Sequence, residues 1–385
     1  MRLTLTLLAF CATLGSRIEA AIPMPEFARG ADISWQQEME NAKVVFKDAS
    51  GKAGDLLDIL KGHGFNSVRL RVWVNPQWHW SDSADVTRLA KRAKAKGFRI
   101  MIDFHYSDSW ADPGQQTKPG AWASHNFEQL KADVAAHTTS VLKMLRDSGI
   151  TPEWVQVGNE TNDGMLWEDG KASKSMTNFA ALVQSGSKAV KSVFPQAKVV
   201  VHISNGWDNA LFRWMFDGLR TNKVEWDVIG MSLYPETATW RSTMAQCKTN
   251  MLDMVSRYGK QVVISEVGMD WRAADSSYAL LKMMIPDVQN LSYGTGLGVF
   301  YWEPQCPPGW SGYQKGAFDS ASRKPTRALD AFKEAAPPSS IRIRDSSPPK
   351  TNSVHDILGR RQESSHPDGP LRVLPAVIGP EHLSD

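Results

Sequence analysis

The chain has 385 residues, too many for one small module and about right for one large domain with appendages. Its 44 lysines and arginines nearly balance 41 aspartates and glutamates, a net charge of +3, so no basic field marks it for nucleic acid or an anionic membrane. Fifteen tryptophans stand against seven tyrosines, a surplus that either fills a core or offers flat faces on which sugar rings stack.

Residues 1–20 hold Arg2, an apolar run from Leu3 to Leu14 and a polar stretch leading to Ala20-Ala21. That is the pattern of a secretory signal peptide, and the run is too short for a membrane span. A secreted mature protein, extracellular or periplasmic, is expected. Loss of Cys11 with the signal would leave Cys247 and Cys306, whose pairing the sequence does not decide. From Phe27 to Phe332 short apolar runs alternate with amphipathic stretches. Strands are predicted at Phe27–Ser34, Ser67–Val74, Arg99–His105, Trp154–Gly158, Lys198–His202, Val228–Leu233, Gln261–Ser265 and Gly298–Trp302. Helices are predicted between them, among others at Asp85–Lys96, Phe127–Ser148, Asn178–Phe194, Asn209–Thr221 and Thr243–Tyr258. Gly64, Gly97, Gly149 and Gly259 each precede a strand and read as helix stops.

Eight alternations predict an α/β fold in which a parallel sheet closes on itself, a (β/α)8 TIM barrel over residues 21–335. An open doubly wound sheet is the alternative, but no Gly-x-Gly-x-x-Gly follows the first strand. Residues 336–385 lack aromatics and carry Pro337-Pro338-Ser339-Ser340 and Ser346-Ser347-Pro348-Pro349, so a disordered tail is predicted there.

Barrel chemistry collects at the C-terminal ends of the strands. Those ends supply Arg69, Arg71, Asp103, His105, Asn159, Glu160, His202, Tyr234, Glu266, Trp302 and Glu303. Glu160 and Glu266 each follow an apolar strand, the fourth and the seventh, so they should face each other across the mouth. Two such carboxyls suit glycoside hydrolysis, in which one donates a proton to the leaving oxygen while the other attacks or activates water. The alternative is that either glutamate only staples the barrel to Arg69 or Arg71. Glu303, followed by Pro304, reads as a brace of the rim, and Trp35, Trp73, Trp154, Trp214 and Trp226 read as core.

Three stretches then become specific: Gly30-Ala31-Asp32-Ile33-Ser34, Asn66 to Pro76 with its Arg69-Leu-Arg71-Val-Trp73-Val-Asn75-Pro76, and Asp103-Phe-His105-Tyr-Ser-Asp-Ser-Trp110-Ala-Asp112-Pro113. With Gly158-Asn159-Glu160, Tyr234-Pro235, Glu266 and Tyr301-Trp302-Glu303-Pro304 in the same order, the chain resembles glycoside hydrolase family 53, the arabinogalactan endo-β-1,4-galactanases. The resemblance covers about Ala28 to Phe332. It implies a retaining enzyme with Glu160 as acid/base, Glu266 as nucleophile, and Asn159 on the sugar 2-hydroxyl. It further implies Arg69 and Tyr234 holding the nucleophile, His105 beside them, and Trp302 beneath the sugar being cleaved. Trp110, Trp122 and Trp207 read as loop aromatics able to stack on flanking galactose units. The implied partner is galactan or arabinogalactan from pectin side chains of the plant cell wall; a monomer without cofactor or metal is expected. The chain departs from the family pattern at Ser204 and Asn205, where acidic residues are frequent, and the Cys306–Tyr313 segment lacks the acidic clustering of a calcium loop. Competing readings are a retaining barrel glycosidase acting on mannan or glucan, and a non-catalytic glycan-binding barrel.

Overall fold

The structure, a computed structural model, describes residues 26–336; the signal-peptide and tail readings lie outside them. Eight parallel strands close into a barrel in chain order. They are β1 (Ala28–Asp32), β2 (Ser67–Val72), β3 (Arg99–Phe104), β4 (Trp154–Val157), β5 (Lys198–Ile203), β6 (Val228–Leu233), β7 (Gln261–Val267) and β8 (Gly296–Trp302). The helices are α1 (Gln36–Asn41), α2 (Leu56–Gly62), α3 (Ser83–Ala95), α4 (Phe127–Asp147), α5 (Met176–Val193), α6 (Asn209–Thr221), α7 (Trp240–Tyr258), α8 (Ala274–Gln289) and α9 (Asp330–Ala335).

Side chains alternate across each strand, so one parity faces the helices and the other the barrel interior. In β3, Ile100, Ile102 and Phe104 join the apolar layer under the helices, whereas Met101 joins the cluster that fills the barrel's floor. Ala28, Trp154, Val200, Val228, Val263, Leu297 and Phe300 complete that floor, with Trp154 edge-on to Phe300 at 6.1 Å. One repeat further along the strands the inward positions turn polar: Arg69, Asp103, Gln156 and His202, all buried. The barrel is therefore filled by apolar side chains at its N-terminal end and by polar ones at its C-terminal end.

The predicted glycine stops are real ones. Gly64, Gly97, Gly149 and Gly259 have φ between +61° and +82°, the left-handed conformation that ends a helix. Cys247 and Cys306 are buried, separate thiols with no disulfide between them. Glu153, at the floor end of β4, pairs with Arg99. Trp214, expected in the core, is 42% exposed on α6.

Candidate active site

At the mouth, β7 does not run regularly. Met231 pairs with Ile264, but the next residue, Ser232, pairs with Glu266, so Ser265 is an extra residue in the β7 ladder. Val263 points into the barrel, and simple alternation would aim Ser265 inward and Glu266 outward. The bulge supplies the missing step and returns Glu266 to the interior. At β4 the placement is made differently: Gly158 (φ +85°) and Glu160 (φ +42°) bend the chain sharply just beyond the strand. Thr161 donates from its N–H to the His202 carbonyl at 2.9 Å, which fixes the turn.

Glu266, 5% exposed, is held through both oxygens. Arg69 Nη1 lies 2.9 Å from Oε1, and the Tyr234 hydroxyl donates to Oε2 at 2.7 Å. Arg69 is itself enclosed by anions, with Asp32 at 2.8 Å and Asp103 at 2.9 Å, and it donates to the Asn159 side-chain oxygen at 2.8 Å. Those charges hold the guanidinium protonated although burial opposes it. Asn159 lines the cleft, and its Nδ2 donates one of its two N–H bonds to the Ala111 carbonyl at 2.8 Å. His202, pushed well below the ordinary imidazole value by burial and by Arg69, is neutral, and its Nε2 meets the Ser232 hydroxyl at 2.8 Å.

His105 is fixed on both sides. Its Nε2 faces Asp103 at 3.0 Å, and its Nδ1 accepts from the Ala111 N–H at 3.2 Å and from Trp73 Nε1 at 3.3 Å. With both nitrogens engaged, its ring shapes the cleft rather than donating to a ligand. Glu303 is buried and accepts from the Trp35 N–H at 3.1 Å, with Arg71 at 3.6 Å.

Glu160 and Glu266 line one cavity of about 430 Å³. Burial, then the charge of Glu266, pushes the Glu160 carboxyl up to about 8. Burial raises Glu266 too, to about 7, against the pull of Arg69 and Tyr234. Arg69 and the Tyr234 hydroxyl favour the ionised form of Glu266, and no cation pairs with Glu160 among the described residues, so a proton shared by the two belongs on Glu160. An acid facing an ionised carboxylate in one cavity, Glu266 buried and Glu160 half-buried, is able to run acid-assisted displacement at a carbon between them.

The structure brings Glu160, Glu266, His105, Asn159, Tyr234, Trp110 and Trp302 to this cavity, with Arg69 directly behind Glu266. Two predicted aromatics stand elsewhere. Trp122 is a correction: it is 7% exposed and packs edge-on against His137 at 6.1 Å in the apolar layer, so it has no free face for a sugar. Trp207 is 43% exposed on the turn before α6 and is not among the cleft-lining side chains. Trp35, expected in the core, is 3% exposed and belongs to it, and it also lines the cleft, as do Asp112, Tyr313 and Lys315. Trp35 lies three residues beyond the end of β1, a position that the strand-end argument would have reached. Tyr313 arrives from a loop with no strand to mark it, and it stands edge-on to Trp302 at 4.6 Å. Among the described residues no group of three His, Cys, Asp or Glu side chains is placed to hold a metal ion.

Comparison with known proteins agrees with this geometry. The family model described as Glycosyl hydrolase family 53 matches residues 28–333. The arabinogalactan endo-β-1,4-galactanase of Thermothelomyces thermophilus is 33% identical over 298 residues, covering 72% of this chain and 89% of that protein. Among solved structures, a fungal β-1,4-galactanase superposes with a TM-score of 0.74 at 29% identity, covering 80% of this chain and 98% of its own. The Ignisphaera aggregans family 53 catalytic domain gives 0.72 at 31% identity, over 81% and 96%. With the whole barrel matched, the chain belongs to glycosyl hydrolase family 53.

Proposed function

We propose that the protein is a secreted, retaining endo-β-1,4-galactanase that cuts the (arabino)galactan side chains of pectin. The observation that carries the reading is the unequal treatment of two carboxyls at one cavity: Arg69 and Tyr234 ligate Glu266, while burial and repulsion keep the proton on Glu160. Relatives with galactanase activity in their names supply the substrate class, and residues 1–20 supply the export signal.

In the first step a Glu266 oxygen attacks the anomeric carbon as the bond to the leaving oxygen breaks, and Glu160 gives its proton to that oxygen. The product is a galactosyl ester on Glu266 and a carboxylate at Glu160. In the second step Glu160 takes a proton from water, the water oxygen bonds to the anomeric carbon, and Glu266 departs as carboxylate. Asn159, through its remaining N–H, binds the 2-hydroxyl, and Trp302 lies beneath the ring. Trp110 offers a face to a neighbouring unit.

The test is incubation with linear β-1,4-galactan, following product size by chromatography and anomeric configuration by NMR in the first minutes. Internal cleavage with β-anomeric products is expected, and Glu266→Ala should abolish it. Inverted products, or faster cleavage of mannan or glucan than of galactan, would overturn the reading. The mature N-terminus of protein recovered from the medium tests export separately.

A further inference from the structure

We propose that His202 and Ser232 are positioning residues for the acid/base: His202, with its proton on Nε2, turns the Ser232 hydroxyl onto the Glu160 carboxyl and anchors the turn that bears it. The inference rests on the galactanase reading and deepens it, because β5 and β6 then act on the proton carried at the end of β4.

Anchorage comes first. Thr161 donates to the His202 carbonyl twice, from its N–H at 2.9 Å and its hydroxyl at 3.1 Å. The Glu160 N–H donates to His202 Nδ1 at 3.4 Å, and two residues along the chain Ser204 exchanges two bonds with Asn162, at 2.7 and 2.8 Å. Glu160 has φ +42°, a region that residues other than glycine adopt rarely, so these bonds hold a turn the backbone alone disfavours. The imidazole has its room from Gly230, its partner in the β5–β6 ladder. A Cβ there would come 3.3 Å from the His202 Cβ and 2.7 Å from Ser265 Oγ.

The place of the ring proton follows from a donor that cannot be turned. The backbone N–H of Glu160 points at Nδ1, and Gln156 Nε2, which also serves Asp103, lies 3.1 Å from the same atom. Nδ1 is therefore an acceptor and Nε2 carries the hydrogen. Asn159 Oδ1, 3.0 Å from Nδ1, takes its hydrogen bond from Arg69 instead. Nε2 then donates to Ser232 Oγ at 2.8 Å, and the hydroxyl hydrogen, refused by the ring, goes to the Glu160 carboxyl. His202 and Ser232 are both buried, and Arg69 and His105 oppose a second proton on the ring against the pull of Asp103.

A hydroxyl aimed at a carboxyl occupies the carbonyl oxygen of the protonated form, so the acid's own O–H stays on the other oxygen, free for the leaving group. It also favours the ionised form. In this it sides with the charge of Arg69 and opposes burial and the charges of Glu266 and Asp112. The acid gives up its proton more readily than burial alone would allow, and the carboxylate left behind is held in place for the second step.

The experiment measures kcat/KM against pH on linear β-1,4-galactan and on a dinitrophenyl galactobioside, whose leaving group departs without an acid. Ser232→Ala should lower kcat/KM about tenfold on galactan and far less on the aryl substrate, and its alkaline limb should move to higher pH. Ser232→Thr, which keeps the hydroxyl, should recover most of the loss. Nitrogen-15 NMR of histidine-labelled protein, with His202 identified by its shift in Ser232→Ala, should show a ring protonated on Nε2 alone from pH 5 to 8. An equal loss on both substrates, an alkaline limb that stays or moves down, or a proton on Nδ1 overturns the proposal. Wild-type protein that leaves galactan intact overturns the galactanase reading instead, and the ring proton is read without turnover.

Discussion

Glu266 is tuned by neighbours that can be removed one at a time. The Tyr234 hydroxyl donates to its Oε2 and so favours the ionised form. Tyr234→Phe deletes that donor and keeps the ring, so the Glu266 carboxyl rises further and a larger share is protonated at a given pH. The nucleophile must be ionised, so the acid limb of the kcat/KM profile should move to higher pH, and the plateau should drop by roughly one to two orders of magnitude. Asp112 acts on the other limb. Its charge helps to raise Glu160, and its Oδ1 accepts from the Gly114 N–H at 2.8 Å, a bond that asparagine can keep. Asp112→Asn should therefore lower Glu160 and bring the alkaline limb to lower pH while the acid limb stays near its place. A pH–rate profile of each variant checks both directions; movement of the wrong limb would contradict the assignment of acid and nucleophile.

The strands were legible because period-two alternation and glycine stops are local signals: Val228–Leu233 matches residue for residue, and β2, β3 and β4 differ only by one or two residues at the C-terminal end. The candidate carboxylates were legible for the same reason, since each follows an apolar run. What the sequence hides is anything decided by packing. The extra residue at Ser265 depends on how β6 and β7 pair, so the inward aim of Glu266 has no signature in its own strand. Trp122 packs into the apolar layer, and Trp35 is core as expected yet also borders the cleft, because an indole beside a strand and one in a loop look alike until neighbours are known. The short α1 and α2 lack the length for a periodic pattern, and α8 carries Pro286 near its end. The barrel floor gives a prediction at this scale. Trp154 is fully buried against Phe300, at the end of the barrel away from the mouth. Trp154→Ala should cost about 3–5 kcal/mol by leaving a cavity, measured by chemical denaturation, with a far smaller change in kcat at a temperature where the variant is folded. A large kcat loss at unchanged stability would mean that the floor and the mouth are coupled.

Taken across the whole molecule, the tryptophan surplus divides between both roles that composition suggested: Trp154 plugs the barrel, Trp226 and Trp122 pack under helices, and Trp35, Trp110 and Trp302 line the cleft. A mouth built this way holds a carboxyl that the fold disfavours in its charged form, and that has a consequence for global stability. The Glu160 carboxyl stands at about 8 in the folded protein, against an ordinary value of 4.5. Between those values the folded state holds a proton that the unfolded state releases, so this group's contribution is fully present below 4.5 and declines as pH rises toward 8. Above about 8 both states are ionised and the buried charge carries its full penalty. Glu160→Gln keeps the shape, removes the charge and removes the repulsion toward Glu266. Its melting temperature should accordingly exceed that of the wild type, by a margin that is small near pH 4.5, widens through neutrality and levels off above pH 8. Differential scanning calorimetry at pH 5, 7 and 9 measures that margin. A constant or narrowing margin would show that Glu160 does not titrate at high pH in the folded protein, and the acid assigned to the first step would have to be sought elsewhere.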